Sequence, residues 1–375
     1  MTYAILKCVL FIVCFGLSFY AVSSIQFDKF CSVKQPRKVV VLLFLLALVL
    51  AYLASQAILD LTDLEEAMFD HWYALDLGGH ACRFYDFLEE KECSLPSLIA
   101  WQDKQAIAVG QDALRYVYKD QRKTSVKDPL DYNRMMSSVA PLVQAGMKQL
   151  GSSHSVFRPR ALVVVPTETS EEQLYHWQTE INKAGIAKID FMTVMDALQT
   201  IEPTMLIHCG HTYTEIGVYS HEQRIVLKTI FFAGKHVDEL IQKKIAELSN
   251  CLITFEDARA LKEAASQALW KGKNATLLCN AKNQRNEFVQ VTCKAMDLWP
   301  CMKSVIDQVT LWAKQCMERV SVEMKEQIHE NGILLSGGMA NCFGLRQNLQ
   351  EELNHPVICT NRPESDLIEN MKGWK

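Results

Sequence analysis

The stretch MLIHCGHTYTEIGVY, Met205 to Tyr219, sets chemistry-bearing side chains at turn spacing. It reads as an apolar strand, a tight turn, and a Thr214-Glu215 step into a second apolar strand. A hairpin of this kind can grip a phosphate, because main-chain N–H groups gathered in a turn form an anion-binding nest. The place that would carry a metal-handling carboxylate holds His208, and His211 and Tyr213 stand where small turn residues are expected. A zinc-type site is disfavoured, since His208 and Cys209 alternate faces on a strand and no third ligand sits at a telling spacing. Cys/His nucleophilic catalysis is weaker still: neither GHAC (residues 79–82) nor HCGH (residues 208–211) has a recognisable orienting acid.

The composition bounds the rest. At 375 residues the chain is long enough for two domains, each with its own core. Hydrophobic residues make up 49%, charged residues 22%, and the net charge is -4. That balance excludes a nucleic-acid partner, which is held through clustered Lys and Arg. The 13 cysteines are scattered, with no C-x-x-C pair, and read as reduced thiols serving as small buried side chains.

The elements that must position the hairpin begin after an N-terminus of different character. Val39 to Leu59 is a charge-free apolar run of bilayer length, and Tyr3 to Val22 is a second run interrupted by Lys7. A secretory signal peptide is the alternative for the first run, but the second run close behind favours a membrane hairpin. The loop between them carries Lys29, Lys34, Arg37 and Lys38, whereas Asp60, Asp63, Glu65, Glu66 and Asp70 follow the second run. By the positive-inside rule the loop is cytoplasmic and both ends lie outside.

From Trp72 strands and helices alternate. HWYALDLGG reads as a strand entering a Gly turn, and RALVVVPTETS as a buried strand. Thr169 or Ser170 then caps a helix that ends at Gly185. Met135, Val139, Leu142 and Met147 share one face of another helix, and a long helix is expected from His236 to about Leu248. GILLSGGMANCFGL is a strand and a Gly turn leading into a helix. The alternation occurs twice, each half opening on strand-turn-strand, which predicts a mixed α/β protein with two similar lobes.

Three turns stand in a telling order: Ala74 to Tyr85, Leu206 to Tyr219, and Gly332 to Leu345. They resemble the first phosphate loop, second phosphate loop and adenosine loop of the actin/Hsp70 superfamily. The segments SLPSLIAW, AIAVGQDAL, RPRALVVVP, FFAGKHVDELI and ENGILLSGG narrow the resemblance to the MreB family of bacterial actins, from about Phe69 to Pro363. The N-terminal hairpin resembles a small two-span membrane protein family of Gram-positive bacteria, through Ile25 to Phe30 and Leu46 to Leu61.

The resemblance assigns residues unevenly. Asp76, Gly78 and Gly79 fit the first loop, Asp76 as the carboxylate that holds Mg²⁺ through water, while His80 and Cys82 depart from it. Gly210, Thr214 and Glu215 fit the second loop, where His208 replaces the acid and His211 and Thr212 replace glycines. Counted from Pro166, the water-positioning Glu falls on Gln173. Gly337 and Gly338 fit the adenosine loop, with Met339 in place of a third Gly. Lys262 matches a residue near the nucleoside, and its acidic companion is Ala264 unless Glu263 substitutes.

The resemblance therefore implies an actin-like (ribonuclease H-like duplicated) two-lobed ATPase fold behind an N-terminal α-helical transmembrane hairpin. The expected divisions are a hairpin at 1–60, a linker at 61–71, one lobe at 72–200, a second at 201–345, and a C-terminal return to the first at 346–375. The expected function is a membrane-associated cytoskeletal scaffold in cell shape and cell-wall synthesis. Its partners would be the membrane, MreB-type filaments or further copies of itself, and the cell-wall synthesis machinery. ATP and Mg²⁺ binding is expected to be weak or lost and hydrolysis very slow or absent. An active ATPase filament, or an actin-like adaptor of a membrane machine, is the alternative. An actin-like body belongs on the cytoplasmic face, which conflicts with the charge bias of the hairpin. Met68 could be a natural start of the actin-like part.

Overall fold

In a computed structural model, residues 2–25, 36–61, 71–117, 125–127, 138–151, 159–220 and 223–374 are described. The expectations for Met135, Met68 and most of the basic loop and the linker lie outside these residues. The chain divides into two compact units, one chiefly residues 1–71 and the other chiefly 72–375.

The first unit is a helical pair, α1 (Thr2–Ser23) and α2 (Pro36–Leu61). Ala47, Ala51 and Ser55, four residues apart on α2, are buried, and small residues at this spacing let helix backbones approach closely. Phe15 and Phe44 meet edge to face at 5.3 Å, while Val, Leu and Ile side chains elsewhere are exposed. Two spans are expected from the sequence. Among the described residues only Val39–Ile58 is long and apolar enough to cross a membrane; the apolar stretch behind Lys7, Cys8–Ser23, is shorter.

The second unit repeats one topology. Strands β1 (Trp72–Leu77), β2 (Ala81–Asp86) and β3 (Lys91–Pro96) form an antiparallel meander. β4 (Ile99–Gln102), β5 (Gln105–Val109) and β6 (Ser125–Lys127) make a small separate sheet. β7 (Arg160–Val165) and β8 (Lys188–Thr193) then extend β1 in parallel, giving the order β3-β2-β1-β7-β8. A second meander follows in β9 (Thr204–Cys209), β10 (Thr214–Ser220) and β11 (Gln223–Ile230). β12 (Thr276–Lys282) and β13 (Phe288–Lys294) form a separate hairpin. β14 (Ile333–Ser336) and β15 (Val357–Cys359) complete the order β11-β10-β9-β14-β15, the same plan as the first sheet.

Strand alternation sorts the side chains. Tyr73, Leu75 and Leu77 of β1 enter a core with Leu142, Val143, Trp177 and Ile181, and Met205, Ile207 and Cys209 of β9 enter another with Ile241, Ile245 and Val305. Ala74 and Leu206, on the opposite faces of these strands, meet in a third cluster shared by both sheets. Asp76 and His208 lie on those same faces, each the fifth residue of its strand. The return to the first lobe, expected from residue 346, begins later: β15 pairs with β14 in the second sheet. Only beyond it do Leu367, Ile368 and Met371 join Ala74 and Leu162.

Candidate nucleotide cleft

A cleft of about 740 Å³ opens between the ends of β1 and β9. Asp76, Gly78, Gly79, His208, Gly210, Lys262, Gly337 and Gly338 all line it, so eight of the residues singled out in the sequence converge. Three others do not. Thr214 is fully buried and donates from Oγ1 to Phe232 O at 2.7 Å. Glu215 is fully buried too, and accepts from Thr167 N (2.8 Å) and Thr167 Oγ1 (2.6 Å), tying the second sheet to the loop after β7. Gln173 is turned to helix capping: Ser170 N donates to its Oε1 at 2.9 Å while its own N–H donates to Ser170 Oγ at 3.3 Å. The residue expected to position water thus closes the N-terminus of the helix Glu171–Lys183 instead.

The first wall is the β1–β2 turn. Ser97 Oγ donates to Gly78 O and Ser97 N to His80 O at 3.0 Å, which fixes the loop shape. A Cβ on Gly78 would stand 2.9 Å from Ala81 O, so the close turn needs glycine. The ladder sets Arg83 directly opposite Asp76, and Arg83 Nη1 donates to Asp76 Oδ2 at 3.3 Å. Burial pushes the Asp76 carboxyl up and Arg83 draws it back. Sequence reading missed Arg83. Counting outward from the Gly78–His80 turn of a two-strand ladder would have found it.

The second wall repeats the geometry with other chemistry. The ladder sets Glu215 opposite His208 as it sets Arg83 opposite Asp76. His208 is 8% exposed, its Nδ1 has no hydrogen-bond partner, and burial and then Arg83 push its pKa down to about 4. Burial raises Glu215 to about 7 against the two Thr167 hydrogen bonds. Gly210 N donates to Tyr213 O, and Lys235 N reaches His211 O at 2.7 Å, holding the turn on the helix Gly234–Ser249. His211 lies 3.3 Å from Arg259 Nη2 through Nε2 and 3.8 Å from Asp238 Oδ2 through Nδ1. A neutral ring protonated at Nδ1 accepts from Arg259 through Nε2 and turns its N–H toward the Asp238 carboxylate. Burial, with Arg259 and Lys262, keeps His211 well below the ordinary imidazole value. The rings of His80 and His211 face each other edge to face at 6.1 Å.

Lys262 ends at 2.7 Å from Asp238 Oδ1, with Asp238 itself fully buried, so its charge is matched inside the wall. Glu263 lines the cleft, as the alternative to Ala264 requires. The third turn runs against β9: Gly337 has φ of 90°, and a Cβ there would lie 2.4 Å from Cys209 O. Gly338, by contrast, has room for a Cβ, which would make ordinary van der Waals contact with Glu364 Cβ at 3.9 Å. Ser266, Trp270 and Asn341 continue the lining beyond this turn.

Comparison with known proteins matches residues 71–373 to the family described as MreB/Mbl protein, and residues 12–59 to one described as Protein of unknown function (DUF1146). The cell shape-determining protein Mbl of Bacillus subtilis (strain 168) is 21% identical over 281 residues, covering 72% of this chain and 84% of Mbl. The crystal structure of MreB 5 of Spiroplasma citri bound to AMPPNP superposes with a TM-score of 0.73 at 17% identity, covering 81% of this chain and 95% of the other. The MamK double helical filament gives 0.64 at 15%, covering 80% and 96%. These likenesses give the duplicated β-sheet plan its name: the fold is actin-like, with two lobes.

Proposed function

Because the chain belongs to the MreB/Mbl family, we propose that it is a divergent bacterial actin acting as a membrane-attached scaffold in cell shape and cell-wall synthesis, with nucleotide bound weakly and hydrolysed little or not at all. Support for the cell-shape role comes from the name of Mbl, for nucleotide from the AMPPNP of MreB 5, and for self-association from the MamK filament. The lobes are proposed at 72–200 and from 201, with the C-terminal segment beyond β15 returning to the first, and the body is proposed on the cytoplasmic face. Membrane attachment rests on the apolar helix Val39–Ile58.

One observation carries the loss of hydrolysis. The matched strand ends hold Asp76 hydrogen-bonded to Arg83 and, at the other place, His208 instead of a carboxylate, while Gln173 caps a helix away from the cleft. Among the described residues, the two matched strand ends thus present one carboxylate, already bound by Arg83, and the place expected to hold a water-positioning side chain is turned to capping. Loss of such groups lowers turnover by about 10²–10³ each. Purified full-length protein in detergent is expected to release phosphate from ATP at a rate at least about 100-fold below that of an active bacterial actin. Turnover comparable to the active protein would defeat the reading. Sedimentation in the same buffer separates a filament-forming subunit from an adaptor.

A further inference from the structure

A hydrated Mg²⁺ at the base of a phosphate cleft needs hard oxygen donors free to face its waters. Asp76 is constrained in this: Arg83 holds Oδ2 at 3.3 Å and balances its charge, and the two side chains are only 11% and 20% exposed. At the matching place His208 offers an imidazole nitrogen, a softer donor suited to other metals. Among the described residues no group of three or more His, Cys, Asp or Glu could hold an ion. The residues present do not fit the ion that the fold implies. What stands in its place is a fixed cation.

Resting on the nucleotide reading above, we propose that this cleft binds the phosphates of a nucleoside phosphate without a divalent cation, Arg83 supplying the positive charge. Arg83 lines the cleft, and among the described residues its one hydrogen bond goes to Asp76, leaving further N–H donors of the fork for phosphate oxygens. Arg suits this work because its planar fork matches phosphate in two-point contact and is always charged. Asp76 then serves to orient Arg83. Lys262 cannot replace it, being tied to Asp238 and Gly234 O. His208 adds an unpartnered ring nitrogen in a side chain more than nine-tenths buried. Gly78, Gly79, Gly337 and Gly338 bring main chain to the same space with no side chain in the way.

The test titrates full-length protein in detergent micelles with ATP by calorimetry, first in excess EDTA and then in excess MgCl₂. The affinity in EDTA is expected to lie within about threefold of that in Mg²⁺. Arg83→Gln is expected to weaken ATP binding in EDTA by about 10–100-fold, and Arg83→Lys by less. Thermal unfolding of both variants checks that they fold; if Arg83→Gln does not, the Lys variant and the EDTA comparison still decide. Binding only in Mg²⁺, or unchanged affinity in folded Arg83→Gln, overturns the inference and leaves the nucleotide reading standing. No ATP binding in either buffer removes both.

Discussion

At the scale of residues, the duplication has been edited one side chain at a time. Asp76 and His208 are equivalent by strand position, and their cross-strand partners are Arg83 and Glu215. The His208–Glu215 pair is held neutral from both sides, and it responds to pH in opposite directions. Glu215 is raised from 4.5 to about 7, so the folded state keeps a proton that the unfolded chain loses as pH rises; its stabilising effect is full below 4.5 and fades through 7. His208 is lowered from 6.5 to about 4, so its favourable neutral form contributes fully above 6.5, and that contribution is lost as pH falls to 4. Glu215→Gln should therefore gain about 3 kcal/mol relative to wild type as pH rises from 4.5 to 7. His208→Gln should gain a similar amount as pH falls from 6.5 to 4, about 3 kcal/mol. Denaturant unfolding of the two variants and wild type across pH 4–7.5 measures both; parallel curves would mean that neither group is perturbed. His208 was visible in the sequence as a departure from a pattern. Glu215 was visible too, but its bonds to Thr167 were not, because a contact between residues 48 apart is a long-range fact.

At the scale of elements, what could be read in advance was what the backbone demands locally. Gly turns, the Ser170 cap and the apolar periods of β1, β7 and β9 follow from φ, capping and alternation, all carried by neighbours in sequence. Gln173 shows the limit. Aligned by position it falls where a water-positioning side chain is expected, yet three residues after Ser170 it is also the reciprocal member of a capping box, and the local bond prevails. Strand β15 shows the opposite limit: it is short and joins β14 across an intervening helix, which no local pattern announces. The two adenosine-loop glycines separate these effects experimentally. Gly337→Ala puts a Cβ at positive φ and 2.4 Å from Cys209 O. It should destabilise the protein by about 2–3 kcal/mol and weaken ATP binding. Gly338→Ala makes only an ordinary van der Waals contact with Glu364 and should alter unfolding by less than about 0.5 kcal/mol. Equal effects of the two substitutions in urea titration would show that the turn is not held against β9.

At the scale of the whole molecule, an apolar helical pair and an actin-like body impose conflicting demands. Arg37 and Lys38 ahead of the apolar run, and Asp60 behind it, follow the charge bias that would send the body outward. The proposed nucleotide reading of the body favours the cytoplasm. A nucleotide cleft needs a compartment that contains nucleotide. The thiols of Cys209 and Cys279 are buried and pushed up to about 12 and about 11, protonated and inert as small core side chains, which suits a reducing milieu. The charge bias is a statistical rule counted over short loops near the span ends, and we propose that the compartment the cleft requires outweighs it here. Green fluorescent protein fused after Lys375 should therefore fluoresce, and alkaline phosphatase fused at the same place should stay inactive. The reverse pattern would put the cleft outside and remove ATP as its ligand, leaving Arg83 and the glycine turns to hold some other phosphate. Substituting Arg37 and Lys38 with Gln should leave the reporter pattern unchanged if the body decides orientation, and scramble it if the hairpin does.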